Sequence, residues 1–118
     1  MASPRAPKEL KEAGRKVWKA LTDANDLEEW EKVTLLEACR VADRLELLSN
    51  ELEGADLTVK NSKGDLTANP LLVEARQQGI VYARLIAALR IPDETGKVPQ
   101  SRPARGAYGV RASLSAVN

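Results

Sequence analysis

The chain has 118 residues, 18 Lys+Arg against 17 Asp+Glu, one Cys and no His. Without His there is no Ser-His-Asp or Cys-His catalysis and no His-ligated metal site. One Cys excludes an internal disulfide and any paired-cysteine metal or redox site, and fits a reducing compartment. The length suits one domain. Its core must be aliphatic, because 16 Leu, 17 Ala and 9 Val stand against two Trp, two Tyr and no Phe.

The net charge of +1 conceals a segregation along the chain. Residues 1–22 carry six basic and two acidic groups, net +4. Residues 23–56 carry three basic and eleven acidic groups, net −8. Residues 57–94 carry five basic and four acidic groups, net +1, and residues 95–118 carry four basic and no acidic groups, net +4. Such blocks suggest separate surfaces for separate partners. The opening residues have no apolar run of the signal-peptide kind, and no stretch reaches the ~20 apolar residues that span a bilayer. A cytoplasmic protein without membrane contact is expected.

Residues 1–7 read as a flexible N-terminus, and a first helix is predicted from Pro7 or Lys8. Leu10, Ala13, Val17 and Leu21 recur on one face, with Trp18 at its edge. Lys8, Lys11, Arg15 and Lys19 fall on the opposite face, and Lys16 lies beside them. This cationic stripe could contact phosphates, since Lys and Arg displace condensed counterions. The alternative is an ordinary solvated face, which nearby Glu9 and Glu12 favour. Thr22 to Asp26 reads as a loop, because Asp and Asn compete with helical backbone bonding.

A second helix is predicted from about Glu28 to Leu52. Trp30, Thr34, Ala38, Val41, Leu45, Leu48 and Leu52 form one stripe, while Leu35, Leu36, Cys39, Ala42 and Leu47 spread outside it. An arc this wide exceeds what one partner helix covers. Either the helix is central or part of the arc is an oligomer interface, with Leu35, Leu36, Ala42 and Leu47 as candidates. Cys39 reads as a small buried hydrophobe. Asp26, Glu28, Glu29 and Glu31 suit a helix N-terminus better than a metal or acid–base site. No metal or cofactor site is expected, and no phosphate-binding Gly-Lys loop is present.

Leu57–Val59 and Leu66–Ala68 flank Gly64 and predict a short hairpin, which should pack on something to be stable. Its Lys60 and Lys63 are exposed loop lysines by default. Asn69-Pro70 marks the start of a third helix that runs to about Leu89 or Arg90. Gly79 suits close approach of another helix or chain, and Tyr82 shares its stripe, so both are candidate oligomer contacts. Pro92 ends the helix. From residue 93 the composition predicts a flexible basic tail. Arg102, Arg105 and Arg111, with Tyr108, could track a nucleic acid or dock on a protein partner. The fold class is mainly α: three helices, a short β-hairpin between the second and third, and a basic C-terminal tail. The helical domain covers residues 8–92, the tail residues 93–118.

Four features, in this order, resemble the small subunit of phage terminase, the genome-packaging motor. They are the opening Ala13-Gly-Arg-Lys-Val-Trp-Lys-Ala-Leu-Thr22, then Leu35-Leu-Glu-Ala-Cys-Arg40 with Ala42, Arg44 and Leu45. Gly64 in a turn ahead of Asn69-Pro70-Leu71 is the third, and Leu85-Ile-Ala-Ala-Leu-Arg-Ile-Pro92 the last. The tail Arg102-Pro-Ala-Arg-Gly-Ala-Tyr-Gly-Val-Arg111 looks like those of members from phages of actinobacteria. Arg90 departs from the pattern, standing where Gly is usual, and so does Asp93 after Pro92. The resemblance implies a non-enzymatic, ring-forming helical protein in the cytoplasm of the infected bacterial host. Such a protein binds the packaging site on viral double-stranded DNA and recruits the large subunit, which holds the ATPase and nuclease. It also implies that a DNA surface exists somewhere on the chain. The alternative is a head or neck assembly adaptor that binds no nucleic acid.

Overall fold

The computed structural model describes residues 4–92. The chain forms three helices, α1 (Glu12–Ala24), α2 (Glu29–Leu52) and α3 (Pro70–Leu89), with an antiparallel hairpin of β1 (Thr58–Lys60) and β2 (Leu66–Ala68) between the second and third. The fold is mainly α, with the hairpin between the second and third helices as predicted. The predicted basic tail lies outside the described residues.

Helix α2 is central, with α1 and α3 both packed on it. This accounts for its wide apolar arc. Leu35, Ala38, Cys39 and Val41 are buried on it. The core joins Leu35 and Cys39 to Leu10, Trp18 and Leu89, with Val17, Leu36 and Ile86 around them. Trp30 does not join this core and is 65% exposed. It lies more than a turn before Leu35, the first buried residue of α2. The α2 N-terminus carries a capping box, with Glu28 and Glu31 each receiving the other's backbone N–H.

Helix α1 departs from the expected start. Residues 7–10 form a turn closed by Leu10 N–H to the Pro7 carbonyl at 3.2 Å, and the helix begins only at Glu12. Its cap, Lys11, offers no side-chain hydrogen bond. Asp43 of α2 supplies one instead. Its Oδ2 accepts the Lys11 N–H at 2.8 Å and its Oδ1 accepts the Gly14 N–H at 2.7 Å. These are the two donors that a local capping box would satisfy. The buried face is consequently Gly14, Trp18 and Thr22, so Trp18 moves from the predicted edge to the centre. A Cβ on Gly14 would lie 2.7 Å from Asp43 Oδ2 and 2.7 Å from the Cys39 carbonyl oxygen. The absence of a side chain is what lets the two helices meet.

The N-terminal arm is fastened across this junction. The Trp18 indole N–H donates to the Pro4 carbonyl at 3.0 Å. Leu10 is only 2% exposed, and Ala6 packs beside the core. Arg40 pairs with Glu9 at 2.5 Å.

The hairpin has Val59 opposite Thr67. Contrary to expectation it does not pack: both its strands are exposed except for the half-buried Val59. Its ends are fixed by hydrogen bonds instead. At the tip, Asn61 Oδ1 accepts the N–H groups of Lys63 and Asp65 at 2.9 and 3.0 Å, and Gly64 takes φ +86°. At the base, buried Asn69 accepts the Leu71 N–H, caps α3, and donates Nδ2 to the Asp56 carbonyl at 2.9 Å. Helix α3 ends on Arg90 in the left-handed region, φ 52° and ψ 47°. That conformation favours glycine, and a Cβ there costs about 1–2 kcal/mol.

Two substitutions should move stability in opposite directions in one urea-unfolding series. Gly14→Ala forces α1 off α2 and should cost about 1–3 kcal/mol, the range for overpacking. Arg90→Gly relieves the left-handed cap and should gain about 0.5–1 kcal/mol after the added unfolded-state freedom of glycine is deducted. A neutral Gly14→Ala would show that the close approach is not required.

Candidate nucleic-acid interface

The five cations of the predicted stripe do not form one free surface. Because α1 starts at Glu12, Lys8 lies in the preceding turn and Lys11 at the cap. Arg15 donates from Nη1 to the Leu10 carbonyl, which fastens the arm to the helix. Lys19 pairs with Asp23 at 2.8 Å, and that hydrogen bond, then the carboxylate charge, raises its pKa above the ordinary value. Lys16 is 3.7 Å from Glu12, with both side chains mostly exposed. Such a solvated pair contributes little and yields readily to a stronger anion.

The side chains of Lys8 and Lys11 have no ion-pair partner among the described residues. The arm adds Arg5, which the periodicity did not select because it precedes the predicted helix. Arg5, Arg15 and Lys19 line a shallow cleft of about 290 Å³ together with Trp18 and Thr22. Contact between the arm and α1 assembles this cluster, and helical spacing carries no signal of it. Lys60 and Lys63 are exposed on the hairpin, beyond the C-terminal end of α2. Helix α1 instead packs beside the α2 stretch that holds Leu35, Cys39 and Asp43. The two sets of cations are therefore separate features. Arg102, Arg105 and Arg111 lie outside the described residues.

The candidate oligomer contacts also divide. Leu35 is 0% exposed and Leu36 packs against the same core, so Leu35 serves the chain's own interior. Leu47 is 62% exposed. Ala42 and Tyr82 line an open groove between α2 and α3. A Cβ at Gly79 would meet nothing within 4 Å, so this glycine makes no close approach inside the chain.

Among the described residues no cluster of three or more His, Cys, Asp or Glu could hold a metal ion, and no helix is long and apolar enough to cross a membrane. Burial, with the nearby Asp43 charge as a second cause, pushes the Cys39 thiol up to about 12. Burial likewise raises the Tyr82 phenol above its ordinary value. Compared with known proteins, the chain matches no family model, no curated protein and no solved structure.

Cys39 should therefore be inert in the native protein. Its thiolate is the reactive form, and a raised pKa leaves the thiol protonated across the range below about pH 12. A chromogenic disulfide reagent at pH 8 should titrate no thiol in native protein and one after unfolding in urea. Rapid native labelling would contradict its burial.

Proposed function

We propose that the chain is a terminase-small-subunit-like packaging adaptor: a non-enzymatic, self-associating protein that binds viral double-stranded DNA and recruits a large subunit carrying the motor and nuclease. The reading is carried by the ordered set of motifs from Ala13 to Pro92. One departure from that pattern supports it physically. Arg90 stands where the resembled proteins have Gly, and its left-handed backbone is the one that glycine serves best. The Gly64 turn and the Asn69-Pro70 cap also fall where the pattern has a turn and a helix start.

DNA contact is assigned first to Lys8, Lys11 and Lys16, joined by Arg5. These are the basic side chains of the N-terminal region not committed to a short hydrogen bond. Arg15 and Lys19 have intramolecular roles and would contribute field more than direct contacts. Lys60 and Lys63 form a second, smaller basic feature, and Arg102, Arg105 and Arg111 a third. Self-association is assigned to the uncovered apolar residues of α2 and α3, among them Leu47, Ile80 and Val81, each well exposed in the single chain. Without a second copy or another protein, these would remain in water.

The second reading, a head or neck adaptor without nucleic-acid contact, draws on the same geometry. Ion pairing already neutralises part of the basic face, while apolar side chains lie uncovered.

Anisotropy titrations with double-stranded DNA from a packaging region separate the two. Affinity should fall steeply with salt, and Lys8→Glu, Lys11→Glu and Lys16→Glu together should lower it more than about tenfold and flatten the salt slope by about 3. The triple variant should keep its helical circular dichroism, because none of the three side chains makes a core contact. Affinity and slope equal to the parent chain would remove DNA contact from this face. Light scattering at micromolar concentration should give a mass above the 12.9 kDa of one chain.

A further inference from the structure

Helix α2, with 24 residues, is longer than α1, with 13, which packs on it. The N-terminus of α1 meets α2 at Asp43, and α2 continues to Leu52. Along this extension α3 covers one side only. The result is an open groove of about 750 Å³ with Leu45, Leu52, Ala75 and Tyr82 in its lining and Glu46 and Glu53 beside them. No described residue closes it. Glu46 and Glu53 are exposed, and neither has an ion-pair partner among the described residues, whereas Glu9, Glu29 and Glu37 do. An apolar floor with unneutralised carboxylates calls for a ligand both apolar and cationic.

We propose that the chain's own segment Arg102–Arg111 occupies this groove, its arginines against Glu46 and Glu53 and Tyr108 and Val110 on the apolar floor. Charge supports the match: residues 95–118 carry four basic and no acidic groups, and the charged residues in the groove lining, Glu46 and Glu53, are both acidic. Reach supports it as well. Tyr82 and Ala75 belong to α3 itself, 7 and 14 residues before Leu89, or ~10 and ~21 Å along the helix. The nine residues 93–101 can extend to ~30 Å. A tail that turns back along α3 after Pro92 therefore brings Arg102 to the groove with slack to spare. Arginine suits the task, since its planar head pairs with carboxylates and its stem covers apolar surface. Docking of this kind is independent of DNA binding, because its anions are the chain's own carboxylates. Where DNA is also bound, the docked arginines are withheld from phosphate.

The test uses the full chain with Ala107→Cys carrying a nitroxide, the buried Cys39 being left unlabelled under native conditions. Isotopically labelled, spin-labelled protein is diluted into excess unlabelled, nitroxide-free protein, so that only intramolecular contacts register. Amide signals of Leu45, Ser49, Leu52, Ala75 and Tyr82 should lose intensity, while those of α1 keep theirs. Glu46→Lys with Glu53→Lys should restore the lost intensity. Three results would each overturn the proposal: full intensity at the groove, loss that persists in the charge-reversed variant, or loss seen only when spin-labelled copies are mixed with isotopically labelled, nitroxide-free ones. The last would assign the groove to the tail of a second copy.

Discussion

The Asp43 carboxylate organises the N-terminal half of this protein. One oxygen takes the N–H of Lys11 and the other that of Gly14, so the first turn of α1 is closed by a side chain from α2. A helix start leaves backbone donors unsatisfied, and a carboxylate there also meets the positive end of the macrodipole. Because the cap comes from α2, capping α1 and docking it are one event. The distance this requires is possible only because Gly14 has no side chain to strike Asp43 or the Cys39 carbonyl. Burial of Trp18 and Thr22 follows from that contact, as does the position of the arm, whose Pro4 carbonyl receives the Trp18 indole.

The same constraint governs the basic surface. Starting α1 at Glu12 takes Lys8 and Lys11 off the helical stripe and leaves them at its mouth. Arg15 is drawn onto the Leu10 carbonyl and Lys19 onto Asp23. A count of positive charges in residues 1–22 therefore overstates the free cationic surface. The hairpin is organised on a different principle. It buries almost nothing, and its order comes from Asn61 at the tip and Asn69 at the base, each making several hydrogen bonds.

Local features of the fold were legible in the chain, and the arrangement of the cations much less so. Single-residue chemistry was readable where a local rule governs it: Asn69-Pro70 as a helix start, Gly64 as a positive-φ turn residue, Cys39 as a buried thiol. Arg90 was not legible as a left-handed cap, because its side chain carries no local sign of the positive φ it adopts. Arg5 was not selected, because a periodicity search begins where a helix begins. The stripe from Lys8 to Lys19 was drawn on an ideal helix, and the two residues outside the observed one changed its shape.

By itself the sequence determined the three helices and the hairpin between the last two, because these follow from apolar periodicity and turn residues, while the wide apolar arc of the second helix left open whether that helix is central or offers an oligomer interface. It also determined the segregation of charge. Only the tertiary structure decided where α1 begins, which of its faces is buried, and which cations remain unpaired. The reason is separation along the chain. Asp43 lies 29 residues from Gly14, and Arg40 lies 31 from Glu9. No local rule registers a hydrogen bond made across such a distance, and it is these bonds that set the surface the protein presents.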